Sequence, residues 1–342
     1  MGTAIGGLIE KQEIGLSVLA GRKVGVDSYN IIYQFLSSIR GPDGTPLMDS
    51  KGNVTSHLTG LLYRTTNLLE KGVKPVFVFD GAPPELKKQT LAKRSEIRTD
   101  AFAKHEKALK EGNLEDARKF GSRALKLTPE MIDDAKFLLG AMGLPVVQAP
   151  SDGEAQVAYM AKKGDVYGCV SQDFDALLFG APVVFRNIAI TGRRKVAGKN
   201  FYVDVSPEKI VLEDALKQLG INRQKLIWLG ILIGTDFNEK FPKIGPKTAL
   251  KLVQQHNSFD DIIKETKFEP DFDYHEVEKI FLEPSCTPDY TIEFSPPDRD
   301  AVVDFLCNRH DFSKDRVESA LNKISEKSAE KGNQSRLDSW FK

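Results

Sequence analysis

Cysteine is scarce. Cys169, Cys286 and Cys307 are widely spaced and form no CxxC pair. That excludes a disulfide scaffold and a thiolate zinc site, and it points to a reducing cytoplasm. The five histidines, His57, His105, His256, His275 and His310, form no HExxH pair, so any metal would have to be held by carboxylates. No apolar run approaches the roughly 20 residues a membrane helix needs. The first ten residues are short and glycine-rich, unlike a secretory signal, and Gly6 stands where a myristoylation signal requires Ser or Thr. Net charge is also absent, with 48 basic against 48 acidic residues. What is present is 342 residues, 41% hydrophobic and 28% charged. That is ample for a large core and, by length, about two domains or one long α/β domain.

The neutrality hides an uneven distribution. Residues 87–126 hold twelve bases and six acids, a net of +6, and residues 186–199 hold five bases and no acid. A basic surface beside an acidic one binds a polyanion while the whole stays neutral. A solvated lysine-rich helix is the competing reading of the first stretch, and composition alone does not separate the two.

Short apolar runs at Lys23–Asp27, residues 76–80, 146–147 and 166–170 read as strands buried on both faces of a parallel sheet. Helical patterns over residues 29–38, 57–70, 129–141 and 154–162 alternate with them, which implies α/β crossovers. Residues 87–127 interrupt the alternation as one or two exposed helices broken near Glu111-Gly112-Asn113. Leu226 to Ile233 is strongly apolar. A turn follows, then Ile244-Gly245-Pro246-Lys247 opens a helix, in the manner of a helix–hairpin–helix. Backbone N–H groups at such a start hold phosphate, and Lys247 and Lys251 lie four apart on one face. Residues 265–300 read as loop-rich because of their prolines, and helices are expected again over 301–306 and 316–324. Leu337, Trp340 and Phe341 stand on a polar tail with no core to join, which suits an anchor for a partner surface.

Asp27, Asp80 and Asp173 fall at strand ends, where such a sheet places ligands, and if the strands are adjacent Asp152, Glu154, Asp175 and Asp236, the last after an apolar helix, can reach the same crevice. So many like charges in one crevice require a cation. Hard oxygen donors suit Mg²⁺ or Mn²⁺, and a pair of such ions serves phosphodiester hydrolysis. Competing readings exist. Asp27 and Asp80 could cap helices, Ser151 to Glu154 fits a capping box led by Ser151, and one of Asp173 and Asp175 could cap a helix.

These residues carry a pattern. Val26-Asp27 with Tyr33 to Leu36, Thr55 to Leu58, Tyr63-Arg64, Phe79-Asp80-Gly81 with Pro83-Pro84, Leu91 to Arg94, Ala149 to Ser151 with Glu154-Ala155, Gln172-Asp173 with Asp175, Phe179-Gly180, and Gly234 to Phe237 with Ile244 to Lys247 stand in one order. In them the chain resembles the structure-specific 5′-nuclease family of XPG type, in its archaeal flap-endonuclease branch. The resemblance covers residues 1 to about 310.

It implies a PIN-like α/β domain over residues 1–324, with a mostly parallel sheet, a helical arch at 87–127 and a helix–hairpin–helix (H2TH-like) region at 225–265. A tail would follow at 325–342. It implies cutting of DNA at the junction of a 5′ flap and a duplex, with 5′–3′ exonuclease action, in replication and repair. The products would carry 5′-phosphate and 3′-hydroxyl ends. The seven acids would hold two Mg²⁺, with Mn²⁺ a substitute. Lys87 and Arg94 would grip the scissile phosphate, Tyr33 would stack on a terminal base and Arg98 would line the arch. Gly245, Lys247 and Lys251 would contact duplex DNA, and the 44–58 region would hold a one-nucleotide 3′ flap. Gln334, Leu337, Trp340 and Phe341 match a box that binds the sliding clamp (PCNA). A monomer when free, in archaeal cytoplasm on the nucleoid and off the membrane, is the expected setting.

Two departures stand out. Asp152 replaces the usual Glu, which shortens its reach. Lys243 replaces a hairpin glycine at a position where positive φ is costly for other residues. The rival readings are a PIN-like ribonuclease cutting unstructured RNA and a non-catalytic, clamp-tethered DNA-binding scaffold.

Overall fold

The computed structural model describes residues 3–41, 44–189, 192–195 and 202–325, with the backbone alone for Gln89, Ser122, 192–195 and 202–204. Among the described residues the main sheet has seven strands. The strands in chain order are β1 (Gln12–Glu13), β2 (Lys23–Asp27), β3 (Lys74–Phe79), β4 (Val146–Gln148), β5 (Cys169–Val170), β6 (Val183–Arg186), β7 (Gly192–Lys195), β8 (Tyr202–Val205) and β9 (Glu208–Val211). The sheet order is β1-β9-β6-β5-β2-β3-β4, and β7 and β8 form a separate antiparallel ribbon. Strands β4, β3, β2, β5 and β6 run parallel, and β9 and β1 close the far edge antiparallel.

The buried strands face two cores. Val76 and Val78 of β3 point into one, and Phe77 and Phe79 point into the other. Helices α1 (Ser28–Ser38), α2 (Ser56–Glu70) and α5 (Pro129–Ala141) cover the second core. Helices α6 (Gly153–Lys163), α7 (Asp175–Leu178), α8 (Leu212–Leu219), α9 (Arg223–Ile233), α10 (Pro246–Gln255), α11 (Phe259–Thr266) and α12 (Tyr274–Leu282) cover the first. The fit is close: a Cβ on Gly60 of α2 would lie 2.2 Å from Phe35 Cγ of α1. The chain winds outward from β2 through β3 to β4, then crosses back to β5 and β6 on the other side of β2, so a crevice opens at the carboxyl ends of β2 and β5 where the winding reverses.

The insertion is a helical hairpin of α3 (Glu85–Lys110) and α4 (Leu114–Arg123). It turns at Gly112, whose φ is 68°, and Asn113 caps α4 by accepting the Asp116 N–H at 3.1 Å. Little apolar surface joins the two arms. Ala101, Ala108 and Ala117 are buried, and His105 Nδ1 donates to the Ala117 carbonyl at 2.7 Å. Arg40 seats α4 by donating to the carbonyls of Leu36, Gly44 and Gly121.

Within the loop-rich stretch 265–300, the sequence reading did not single out α12. Asp273 caps it, and Val277 and Phe281 bury its inner face between prolines that mask the short periodicity. The helix expected over 301–306 is α13 (Arg299–Val303) running into a π-helical turn, Asp304–Arg309, and a helix over 314–325 ends the described chain.

His57 of α2 is fully buried, and neither ring nitrogen has a hydrogen-bond partner. Burial, then the nearby His310, lowers its pKa from 6.5 to about 4. The unfolded chain therefore binds the extra proton first. The stability contribution is complete above pH 6.5 and is lost as pH falls to about 4. Over that window the loss is about 3 kcal/mol. Urea unfolding at pH 7 and pH 4 is expected to show that much more destabilisation in the wild type than in His57→Leu. Equal losses would exclude His57 as the cause.

Candidate active site

Asp27 ends β2 and caps α1, accepting the Asn30 N–H at 3.1 Å. Capping and crevice-facing are compatible because one carboxylate oxygen serves each. Asp80 follows β3 and accepts the Gly153 N–H at 2.9 Å, and a Cβ on Gly153 would lie 2.6 Å from its Oδ1. The loops after β3 and β4 are thus locked together, and Gly81 N–H adds a bond of 2.6 Å to the Ser151 carbonyl. The capping-box reading led by Ser151 is corrected: Asp152 is the N-cap of α6 and accepts the Glu154 N–H at 3.3 Å. Glu154 itself points inward and accepts from the Ser171 hydroxyl. Asp173 accepts from Asn30 Nδ2 at 2.9 Å, and Asp175 accepts the Thr3 N–H at 2.7 Å. Asp236 lies in the turn after α9.

Two arms of positive charge descend from α3. Lys87 Nζ meets Asp152 at 2.5 Å and Asp236 at 3.9 Å, and Arg94 grips both oxygens of Asp236. Outside the crevice, Lys93 pairs with Glu239.

The seven acids share one field. Asp27, Asp152, Glu154 and Asp175 are each under 10% exposed. Burial, then Asp152, raises Asp80 to about 7, although Lys87 pulls it down. Burial, then Asp236, raises Asp175 to about 6. Burial and then Asp80 push Asp27 well up, and burial and then Asp27, Asp175 and Asp173 push Glu154 well up. Burial works against the Lys87 charge, but Asp152, Asp80 and Asp236 outweigh it and hold its pKa above the ordinary lysine value.

Carboxylates whose charges cost this much hold protons or cations. Seven hard oxygen donors against two side-chain cations fit divalent ions of the Mg²⁺ class. Among the described residues no three such groups converge as a ready-made cage. Lys87 and Arg94 engage Asp152 and Asp236, while Asn30 and Thr3 hold Asp173 and Asp175.

Residues 6–101 match the XPG N-terminal domain, and residues 143–236 match the XPG I-region. Flap endonuclease 1 of Pyrococcus abyssi is 52% identical over 342 residues, covering 100% of this chain and 98% of its own length. That of Pyrococcus furiosus is 52% identical over 343 residues, covering all of both chains. The chain belongs to the flap endonuclease family of XPG nucleases. It is a structure-specific nuclease, of a metal-dependent family. Among solved structures, flap endonuclease-1 from Methanococcus jannaschii superimposes with a TM-score of 0.77 at 41% identity, over 96% of this chain and 100% of that one. The catalytic core of Rad2 in complex with a DNA substrate shares the fold, with a TM-score of 0.66 at 24% identity over 92% of this chain and 96% of that one.

In this XPG nuclease the other expected site residues fall at three places. Tyr33 of α1 and Arg98 of α3 meet, the guanidinium lying 5.4 Å from the ring centroid. Gly245 is the N-cap of α10, followed by Pro246, and Lys247 and Lys251 are exposed on that helix. Lys243 does take the left-handed conformation, with φ 61°, so the turn keeps its shape with a lysine in the glycine position. Gln334, Leu337, Trp340 and Phe341 lie outside the described residues. Reading the sequence missed Thr3, Asn30 and Ser171. Asn30 bridges two loops, donating to Asp173 and accepting the Gln172 N–H at 3.1 Å. Their only sequence signal is proximity to a strand end or chain start. No helix among the described residues is long and apolar enough to cross a membrane.

Proposed function

We propose that the chain is a 5′ flap endonuclease and 5′–3′ exonuclease of DNA replication and repair. It would hydrolyse one phosphodiester at the single-strand/duplex junction and leave 5′-phosphate and 3′-hydroxyl ends. The observation that supports this is the field shared by seven carboxylates at the carboxyl ends of the central strands and the turns beside them, with Lys87 and Arg94 of α3 paired to Asp152 and Asp236.

Asp27, Asp80, Asp152, Glu154, Asp173, Asp175 and Asp236 would hold two Mg²⁺, or Mn²⁺. Bound there, the ions supply an activated water and neutralise charge at the phosphate. The chain's own residues do the rest. Lys87 and Arg94, which in this structure pair with Asp152 and Asp236, would stabilise the charge that develops on the scissile phosphate. Tyr33 stacks on a terminal base beside Arg98. The N-terminus of α10, with Lys247 and Lys251, holds a duplex phosphate and so sets the distance from duplex to crevice.

Lys247→Ala is expected to weaken binding of every duplex alike and to lower the slope of log K against log salt by about 1. Salt titrations monitored by fluorescence anisotropy check it, and an unchanged slope would remove Lys247 from the interface. For the tail, docking of Leu337, Trp340 and Phe341 on a sliding clamp, with Gln334 hydrogen-bonding beside them, is the reading. Deleting 334–342 is expected to abolish clamp stimulation and spare clamp-free cutting. Loss of clamp-free cutting would contradict a tethering role.

A panel of a 5′-flap duplex, a matched bubble and a single-stranded RNA tests the function. Mg²⁺-dependent incision confined to the flap is expected. Cutting of unstructured RNA would place the chain with PIN-like ribonucleases, and tight flap binding without product would leave a scaffold.

A further inference from the structure

Eight large apolar side chains stand exposed among the described residues, and four of them, Ile97, Phe102, Leu109 and Leu114, lie on the arch. Phe102 is 52% exposed. Phe137, the other exposed phenylalanine, leans on Phe305 with centroids 4.7 Å apart. Phe102 makes no ring or cation–π contact among the described residues. An exposed phenylalanine forgoes much of the stabilisation its burial would bring. One turn away on the helix stand Arg98, Thr99, His105 and Glu106, so its immediate surroundings are polar, and Leu109 is the exposed apolar side chain on the same face, two turns on.

Its position gives the exposed ring a use. Successive turns of α3 carry Arg94, Arg98 and Phe102, each four residues from the last and about 6 Å further along the axis. Arg94 is paired with Asp236 in the crevice, and Arg98 lies over the Tyr33 ring. The three side chains therefore lead outward from the reacting centre: one cation, one cation already on a π face, then a bare π face. The surrounding stretch, residues 87–126, is net +6. An unpaired strand matches this surface, with a charge on every phosphate and a π face on every base.

We propose that Phe102 is a base-stacking contact for the unpaired 5′ strand, the outermost step of the Arg94–Arg98–Phe102 series. It makes the arch read bases as well as phosphates, without sequence preference. The inference rests on the flap reading above and adds the residue and the kind of contact.

The test is equilibrium binding under chelator, so that no cutting occurs, by fluorescence anisotropy. Three substrates share one duplex: a ten-nucleotide flap, the same flap built of abasic nucleotides, and no flap. Phe102→Ala is expected to weaken binding of the base-bearing flap about tenfold, within the range of one base stack. Phe102→Leu should lose as much, and Phe102→Trp should keep wild-type affinity. The abasic flap and the flapless duplex should bind all four proteins alike. Wild-type affinity in Phe102→Leu would overturn stacking in favour of apolar packing. An equal loss on the flapless duplex would overturn a flap contact. A wild-type preference for the flap that survives undiminished in Phe102→Ala would overturn this inference alone, whereas a wild type that binds flap and flapless duplex equally would overturn the flap reading as well.

Discussion

Asp80→Ala is expected to abolish cutting while leaving DNA binding unchanged or tighter. The side chain sits at the end of β3, takes the Gly153 N–H at 2.9 Å and shares its field with Asp152 and Asp236. Burial and those neighbours raise its pKa to about 7, so its charge is costly until a cation meets it. Removing this proposed metal donor should slow turnover about a thousandfold or more. It also removes negative charge from a surface that must accept phosphate. Asp80→Asn keeps an acceptor for Gly153 and deletes only the charge, so the two variants should lose activity together if the charge matters. Thermal stability of the metal-free protein should not fall in Asp80→Asn, because a penalised carboxylate has gone. Single-turnover cleavage and anisotropy on one labelled flap measure both quantities. Unchanged cutting would remove Asp80 from the site.

Arg94→Ala should slow the chemical step about a hundredfold to a thousandfold, the cost of deleting one donor to a developing oxyanion, with only a small change in affinity. The guanidinium holds both oxygens of Asp236, an arrangement equally suited to two oxygens of a phosphate. Arg94→Lys should recover only part of the rate, because an ammonium cannot bridge two oxygens in that fork. A loss of affinity as large as the loss of rate would make Arg94 a DNA anchor instead.

Much of this site could be read from the sequence because parallel strands advertise themselves. Lys23–Asp27 and residues 76–80 are short apolar runs closed by an acid, and the sheet does bring Asp27 and Asp80 to one edge. The arch was legible from charge, since a segment with so little to bury cannot be core. Other features depend on contacts far apart in sequence. Thr3 reaches Asp175 across 172 positions, and Lys87 reaches Asp152 across 65. No local pattern encodes such pairs. The N-cap of α6 shifted from Ser151 to Asp152 because both residue types cap well and only the backbone geometry decides between them. Helix α12 went unseen because nine residues between prolines give too few turns for a period to show. At Lys243 the sequence raised the right question, since a lysine stands at φ 61°, a conformation that favours glycine.

The most direct measurement is the position and end chemistry of the cut, mapped at single-nucleotide resolution on a 5′-flap duplex with Mg²⁺ and with chelator. One incision at or one nucleotide inside the junction is expected, giving 5′-phosphate and 3′-hydroxyl ends and vanishing under chelator. Incision scattered along the flap, or product that persists without divalent cation, would contradict hydrolysis by this carboxylate crevice.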